Sequence, residues 1–294
     1  MTITRVGLVA RSALTPALEA LTEAAGWLSE QRVEPVVDER SAREAGLGSR
    51  YATAGRGDLV REVDTIVTFG GDGTLLDMAG AVASAGANTP ILGINLGRLG
   101  FLTEARRRDL VPALSALIAG RVRIEPRAVL DGRVMRSREV VADRLALNDV
   151  VVTRGAQARM IEIAVSVDGH WVLDVKADGL IVATATGSTA YNLSAGGPIV
   201  HPSVNAFVLT PIAPHTLTNR PLVLPEAARI VLTPRVEAQS EIVVTFDGQA
   251  TEPVHEGDTI KIKRSAREVH LVRMIGRTHF DMLREKLQWG QRLP

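Results

Sequence analysis

The sequence predicts two folded parts, an α/β part built on a parallel sheet and then a mainly antiparallel β part. Three observations carry this. At 294 residues the chain has room for about two domains, each with its own hydrophobic core. Its first third alternates short apolar runs with helical patterns, the signature of parallel strands joined through helices. Near Arg121 the style changes to extended segments joined by turns, which sets expected bounds of 1–120 and 121–277.

In the first part, Ile3 to Ala10 is a buried-strand run. Thr15-Pro16 supplies a cap and a first-turn proline for a helix through about Glu30. Val33 to Val37 reads as a second strand. Asp38 to Asp58 is polar, holds Gly and Arg and has little periodicity, so a mobile surface loop is expected. Asp64 to Phe69 is a third strand, followed by glycines and an Ala-rich helix from Thr74 to about Ser84. Pro90 to Ile94 is a fourth strand, and Asp109 caps a helix running to Ala119.

In the second part, Asp131-Gly132, Asp168-Gly169 and Asp247-Gly248 separate extended runs. Asp-Gly favours the positive φ values of a type I′ turn, so each is an expected hairpin tip. Thr278 to Trp289 reads as a terminal helix, with Phe280, Leu283 and Leu287 on one face and expected to dock back on the first part.

Composition excludes more than it assigns. Thirty-four basic against thirty-three acidic residues give a net charge of +1, so there is no general attraction to nucleic acid or anionic lipid. Aromatics are 3% of the chain, too few for the stacking platforms of single-strand nucleic-acid binders. Neither nucleic acid nor membrane is therefore an expected partner. The absence of cysteine removes disulfide scaffolds, thiolate metal sites and cysteine nucleophiles, and an intracellular, cytoplasmic chain is expected. The apolar run at the N-terminus is too short and interrupted for a signal peptide or a membrane span. Gly179 to Asn219 holds no Asp, Glu, Lys or Arg, yet its Gly, Ser, Thr, Asn and Pro content denies it a continuous helix. Such a stretch is packed inside the protein or presented to a ligand.

The strongest local signal is Gly70-Gly71-Asp72-Gly73-Thr74. Glycines at a strand's carboxyl end let backbone N–H groups approach an anion, and the following helix adds its positive dipole end. That geometry suits phosphate. The plainer alternative is a tight connection in which Asp72 only caps the helix. A carboxylate beside a phosphate repels it unless Mg²⁺ lies between them or the carboxylate accepts a hydroxyl proton, and both answers point to phosphoryl transfer. No Walker A sequence, no protein-kinase motif set and no G-x-G-x-x-G after the first strand occur.

Asn148-Asp149 lies within the apolar run Leu145 to Val152 and needs polar partners there. Ribose hydroxyls or a base edge would satisfy it, as would a simple turn between strands. Lys176 to Asn192 leads into the charge-free stretch with dense hydroxyls and small residues, and Tyr191 is its one aromatic. A Thr-rich strand with Tyr191 in the core is the alternative there. The six histidines lack metal-ligand spacing, and His215, between prolines, is expected to be structural.

Taken in order, these segments resemble the NAD kinase family. The matching residues are Gly70 to Thr74, Gly93 to Leu102, Asn148-Asp149, Asp178-Gly179, Thr186-Gly-Ser-Thr-Ala-Tyr191, Thr210 to His215 and Asp247-Gly-Gln249. Asp149 departs mildly from a family position that carries Glu in many members. The resemblance implies a Rossmann-like N-terminal α/β domain and a β-sandwich-like C-terminal domain. It implies transfer of phosphate from ATP or polyphosphate, with a divalent metal such as Mg²⁺, to the 2′-hydroxyl of the adenosine ribose of NAD. By the same resemblance Asp72 is the general base, joined by Gly73 at the phosphate and by no dedicated metal cage. Dinucleotide contacts are implied at Asn148, Asp149, Arg159, Lys176, Asp178, Thr189, Ala190, Tyr191, Asn192, Ser194, Ala213 and Gln249. Asp178 is implied to act across a subunit interface, so a homo-oligomer is expected. A glycine-loop sugar-phosphate or lipid kinase, or a non-enzymatic dinucleotide sensor, are the alternatives.

Overall fold

The structure is a computed structural model that describes residues 3–97, 100–155, 160–216, 218–235 and 241–289. The chain opens with β1 (Arg5–Ala10), α1 (Thr15–Glu30), β2 (Glu34–Asp38), α2 (Glu39–Ala45), β3 (Ala52–Ala54) and α3 (Arg56–Glu62). Then come β4 (Thr65–Gly70), α4 (Asp72–Ala85), β5 (Ile91–Asn95), β6 (Ala105–Arg106) and α5 (Leu110–Ile118). The β-rich stretch comprises β7 (Val122–Arg136), β8 (Glu139–Ala146), β9 (Asp149–Arg154), β10 (Ile161–Val167), β11 (His170–Ala177) and β12 (Gly179–Thr184). After it come α6 (Tyr191–Ser194), β13 (Ala206–Ile212), β14 (Leu222–Pro225), β15 (Ile230–Arg235), β16 (Ile242–Phe246) and β17 (Ala250–Val254). The last elements are β18 (Thr259–Met274) and α7 (His279–Leu287). Two compact units result, one of Met1–Pro126 with Val269–Pro294 and one of Arg127–Glu268.

In the first unit the strands run parallel in the order β3-β2-β1-β4-β5, as the alternation of strand and helix signals led one to expect. The strands read as continuous apolar runs because both faces of the sheet are covered. Leu8, Val67, Phe69, Leu92 and Ile94 pack with Leu21 and Leu28 of α1 and Leu114 and Leu117 of α5. Strand order reverses between β1 and β4, and open α/β sheets hold ligands at the carboxyl ends of strands beside such a switch. The glycine-rich segment begins at the carboxyl end of β4.

The second unit is antiparallel. One set pairs β11-β10-β15-β18, with β7 joined to β18 and β8 to β7, and the other runs β14-β13-β12-β9-β16-β17. Val150, Val152, Leu180, Val182, Phe207 and Val244 from the second set share one core with Ile163, Val165, Leu232 and Ile260 from the first. The charge-free stretch supplies β12 and β13, both almost wholly buried. Among the described residues no helix is long and apolar enough to cross a membrane.

Several local expectations are corrected. Residues 38–58 are not a loop. Asp38 caps α2 by accepting from Ser41 N–H at 3.0 Å, Gly46 closes that helix at φ 68°, and β3 and the start of α3 follow. Each helix has seven residues, too few for a periodic pattern to emerge in a polar context. Asp131-Gly132 is no hairpin tip: β7 runs straight through it to a turn at Ser137 and Arg138, at φ 49° and 72°. Asp131 instead pairs with Arg133 at 3.1 Å and Lys263 at 3.6 Å along the sheet. The other two Asp-Gly pairs do form tips, at φ 51° and 83° for Asp168-Gly169 and 53° and 65° for Asp247-Gly248. Leu14, not Thr15, holds the cap position of α1, and Asp109 makes no side-chain cap bond to α5. In α7 the buried residues are Met282 and Leu283, while Phe280 is exposed.

Candidate active site

In the first unit the site forms where β4 ends and α4 begins. Gly71 holds the N-cap position with no side-chain bond, and Asp72 lies inside the first turn of a 14-residue helix. Asp72 therefore does not cap α4, which corrects the plainer alternative. Its carboxylate instead gathers the loop after β5. Oδ2 accepts from Phe101 N–H at 2.7 Å, and Oδ1 accepts from Leu102 N–H at 3.2 Å, Thr103 N–H at 3.1 Å and the Thr103 hydroxyl at 3.1 Å. The Thr103 hydroxyl in turn accepts from Asn95 Nδ2 at 3.0 Å and Gly100 N–H at 3.2 Å. A carboxylate offers about four lone-pair sites. Oδ1 accepts from three donors, whereas Oδ2 accepts from one and keeps lone-pair capacity for another.

In the second unit the structure brings together motifs far apart in sequence. The Asp247 carboxylate accepts from the backbone N–H groups of Leu147 at 2.8 Å, Asn148 at 2.7 Å and Asp149 at 3.1 Å, which fixes the turn leading into β9. The segment after β12 lies on the same turn. Thr184 N–H donates to the Asn148 carbonyl at 2.9 Å, and a Cβ on Gly187 would stand 2.0 Å from that oxygen. Asn148 Oδ1 is buried with no hydrogen-bond partner among the described residues. An orphaned buried oxygen is costly unless a ligand satisfies it. Asp149 is 5% exposed, and burial together with the nearby Asp247 charge pushes its carboxyl up to about 7. Burial also raises the Asp247 carboxyl, against the three N–H groups that favour its charge.

Thr189 is buried and donates to the Thr186 carbonyl at 3.2 Å, and Ala190 leads into α6. Tyr191 is 44% exposed, so it is not the core aromatic of the alternative reading. Ser194, Gly73 and Gln249 are exposed. Asn192 is fully buried: its Nδ2 donates to the carbonyls of Ser188 at 2.8 Å and Pro198 at 3.0 Å, and its Oδ1 accepts from Thr210 at 2.6 Å. Both amide donors are used inside the fold, so the Asn192 side chain frames the segment. Arg159 lies outside the described residues.

Lys176, Asp178 and Ala213 form a separate group. Asp178 N–H donates to the Ile212 carbonyl at 2.9 Å and His215 N–H to the Lys176 carbonyl at 3.0 Å. Asp178 pairs with Arg154 at 2.8 Å, and Lys176 with Glu162 at 3.3 Å. Ala213 is exposed at φ 46°, a left-handed conformation unusual for alanine and of the kind that gathers at functional sites. This group stands at the start of β12 and the Asn148 group at its end, roughly 17–20 Å apart by the rise of an antiparallel strand. Sequence reasoning missed the loop Gly100 to Thr103 as the seat of Asp72, and Asp247 as an anchor. The Asn95-x-Gly97 turn, with Gly97 N–H on Asn95 Oδ1 at 2.8 Å, is a local signal for that loop.

Comparison with known proteins agrees with this architecture. The model of the ATP-NAD kinase N-terminal domain matches residues 6–122, and that of the ATP-NAD kinase C-terminal domain matches residues 147–274. An NAD kinase of Heliobacterium modesticaldum is 45% identical over 286 residues, 97% of this chain and 99% of its own. One of Geotalea daltonii is 41% identical over 266 residues, 90% of this chain and 92% of its own. Yeast NADH kinase, solved in complex with NADH, superposes with a TM-score of 0.91 at 25% identity over 100% of this chain and 89% of its own. An NAD kinase from Archaeoglobus fulgidus in complex with ATP gives 0.76 at 29%, over 97% of this chain and 98% of its own. The sugar-phosphate, lipid-kinase and sensor alternatives find no support in these matches. With two domain models in sequence order and relatives above 40% identity over nearly its whole length, the chain belongs to the NAD kinase family.

Proposed function

We propose that this protein phosphorylates the 2′-hydroxyl of the adenosine ribose of NAD, giving NADP, with ATP or polyphosphate as donor. The observation that carries the reading is the Asp72 carboxylate, seated by four hydrogen bonds at the first turn of α4 with Oδ2 only singly bonded. A ribose hydroxyl is a weak nucleophile, and a positioned carboxylate that takes its proton contributes about 10²–10⁴-fold in rate. Asp72 Oδ2 is that acceptor. Gly73 and the start of α4 present backbone N–H groups and a positive dipole end to phosphate. The 1–120 part then serves the phosphoryl donor, and the β-rich 121–277 part holds the dinucleotide.

Asn148 Oδ1 accepts from the substrate and Asp149 takes ribose hydroxyls, which relieves the buried oxygen. Tyr191 stacks on a base, and Thr189, Ala190, Ser194, Ala213, Gln249, Arg159, Lys176 and Asp178 complete the contacts. Among the described residues no group of three or more His, Asp or Glu is placed to hold a metal. A divalent cation such as Mg²⁺ would be held by the donor phosphates, with Asp72 the carboxylate that would meet it, and would supply charge neutralisation there. The separation of Asp178 from the Asn148 group along β12 supports Asp178 serving a neighbouring subunit, hence a homo-oligomer. A cytoplasmic setting accords with a chain that lacks cysteine. A coupled dehydrogenase assay for NADP, run with NAD and Mg²⁺ and with ATP or polyphosphate in turn, tests the reading. NADP formation with either donor supports it, and phosphorylation of fructose 6-phosphate or diacylglycerol with NAD untouched overturns it.

A further inference from the structure

Arg273, near the end of β18, is 6% exposed and faces Glu104, 3% exposed. Its Nη1 donates to Glu104 Oε2 at 2.8 Å and to the Leu102 carbonyl at 3.3 Å, and Nη2 lies 3.5 Å from the Phe101 carbonyl. Glu104 is held from the other side, its Oε1 accepting from Met274 N–H at 3.0 Å and its carbonyl from Arg277 at 2.7 Å. An ion pair this deep pays heavily in lost hydration, and a well-packed apolar pair is often as stable or more so. Fold stability alone is therefore a weak account of it.

The peptide groups that Arg273 touches supply the better account. The 101–102 peptide turns its carbonyl to Arg273 and its N–H, that of Leu102, to Asp72 Oδ1. The 102–103 peptide does the same with the N–H of Thr103. A cation on the carbonyl side polarises an amide and strengthens its N–H as a donor, and it also fixes the peptide plane. Arg273 thus reaches the Asp72 carboxylate through two peptide dipoles without touching it.

We propose that Arg273 is a positioning residue for phosphoryl transfer, orienting and polarising the 101–103 backbone so that Asp72 keeps Oδ1 occupied and turns Oδ2 to the acceptor hydroxyl. The inference rests on the reading of Asp72 as the base. Arg273→Lys, Arg273→Gln and the paired Arg273→Gln/Glu104→Gln variant, each in the full chain, are compared with wild type for kcat, KM for NAD and ATP, and melting temperature. The paired variant removes both charges of the buried pair, and Glu125, whose Oε2 lies 3.8 Å from Arg273 Nε, is partly exposed. Its kcat falls at least about tenfold with both KM values within about threefold, and Arg273→Lys recovers part of the loss. In an Asp72→Asn background the same pair of replacements costs no more than about twofold, because the group it acts through is gone. A folded paired variant with wild-type kcat overturns the proposal. So does a loss that is undiminished in the Asp72→Asn background, or a loss of kcat that only follows a loss of the melting transition. Retained turnover in Asp72→Asn alone overturns the base assignment instead, so the two failures are distinguishable.

Discussion

Gly100 lies against the Asp72 carboxylate so closely that a Cβ on it would stand 1.9 Å from Oδ1 and 2.3 Å from Oδ2. No side chain fits there without moving the carboxylate off the N–H groups of Phe101 to Thr103. Gly100→Ala is expected to lower kcat at least about tenfold while the KM for NAD changes less than about threefold. Steady-state kinetics on a variant of unchanged melting temperature is the check, and an unaltered kcat would mean that the seat is irrelevant to turnover.

Asp72→Asn keeps the volume but puts an amide NH₂ opposite the Phe101 N–H or the N–H groups of Leu102 and Thr103. It also removes the proton acceptor. Turnover is expected to fall at least about a hundredfold while NAD binding, read by calorimetry, stays within a few-fold.

Asp149 carries a stability signature in pH. Its carboxyl rises from an ordinary 3.8 to about 7 in the folded protein, through burial first and the Asp247 charge second. Between about pH 4 and 7 the folded state then binds more protons at this site than the unfolded chain. Stability contributed here falls as pH rises through that window and levels off above it. Asp149→Asn removes the titration, so its melting temperature should exceed that of wild type by at least about 4 °C at pH 8 and match it near pH 4. Parallel melting curves across the range would contradict the assignment.

Tyr191 is an exposed ring at the start of α6, so its loss should leave the fold intact. Tyr191→Leu is expected to weaken NAD binding about tenfold, and Tyr191→Phe to leave it within about twofold, if the ring stacks on a base. Equal affinity in both variants would remove the stacking role.

If Asp178 serves a neighbouring subunit, two inactive chains can repair each other. Equal co-expression of Asp72→Asn and Asp178→Ala chains should restore about a quarter of wild-type activity, since in a symmetric dimer half the pairs are mixed and each has one intact site. Recovery indistinguishable from the separate variants would place Asp178 in its own subunit's site.

The parallel strands of the first unit were legible because residues buried on both faces leave short apolar runs such as Thr65 to Gly70. The segment 38–58 was not. Its helices are short, and beyond the local Asp38 cap what holds them is tertiary: Ala42 and Leu47 in the core, and Leu59 and Val60 buried from α3. Asp131-Gly132 misled because an Asp on a strand face reads like an Asp in a turn until its partner Lys263, 132 positions away, is in view. At the site, the glycines and carboxylate of Gly70 to Thr74 were plain in the sequence. What seats Asp72 was not, since Thr103 meets it across 31 residues and Arg273 meets its loop across 171, and long-range hydrogen bonds leave no local trace. Asp247 hid behind its own turn: the same residue makes the hairpin tip and anchors Leu147 to Asp149.

The most direct measurement is ³¹P NMR of the product formed from NAD and ATP by the purified chain with Mg²⁺. The account predicts one new phosphomonoester resonance on the 2′-oxygen of the adenosine ribose, in step with ADP release, and its loss in Asp72→Asn. ATP consumed without that ester, or an ester at another position, would contradict it.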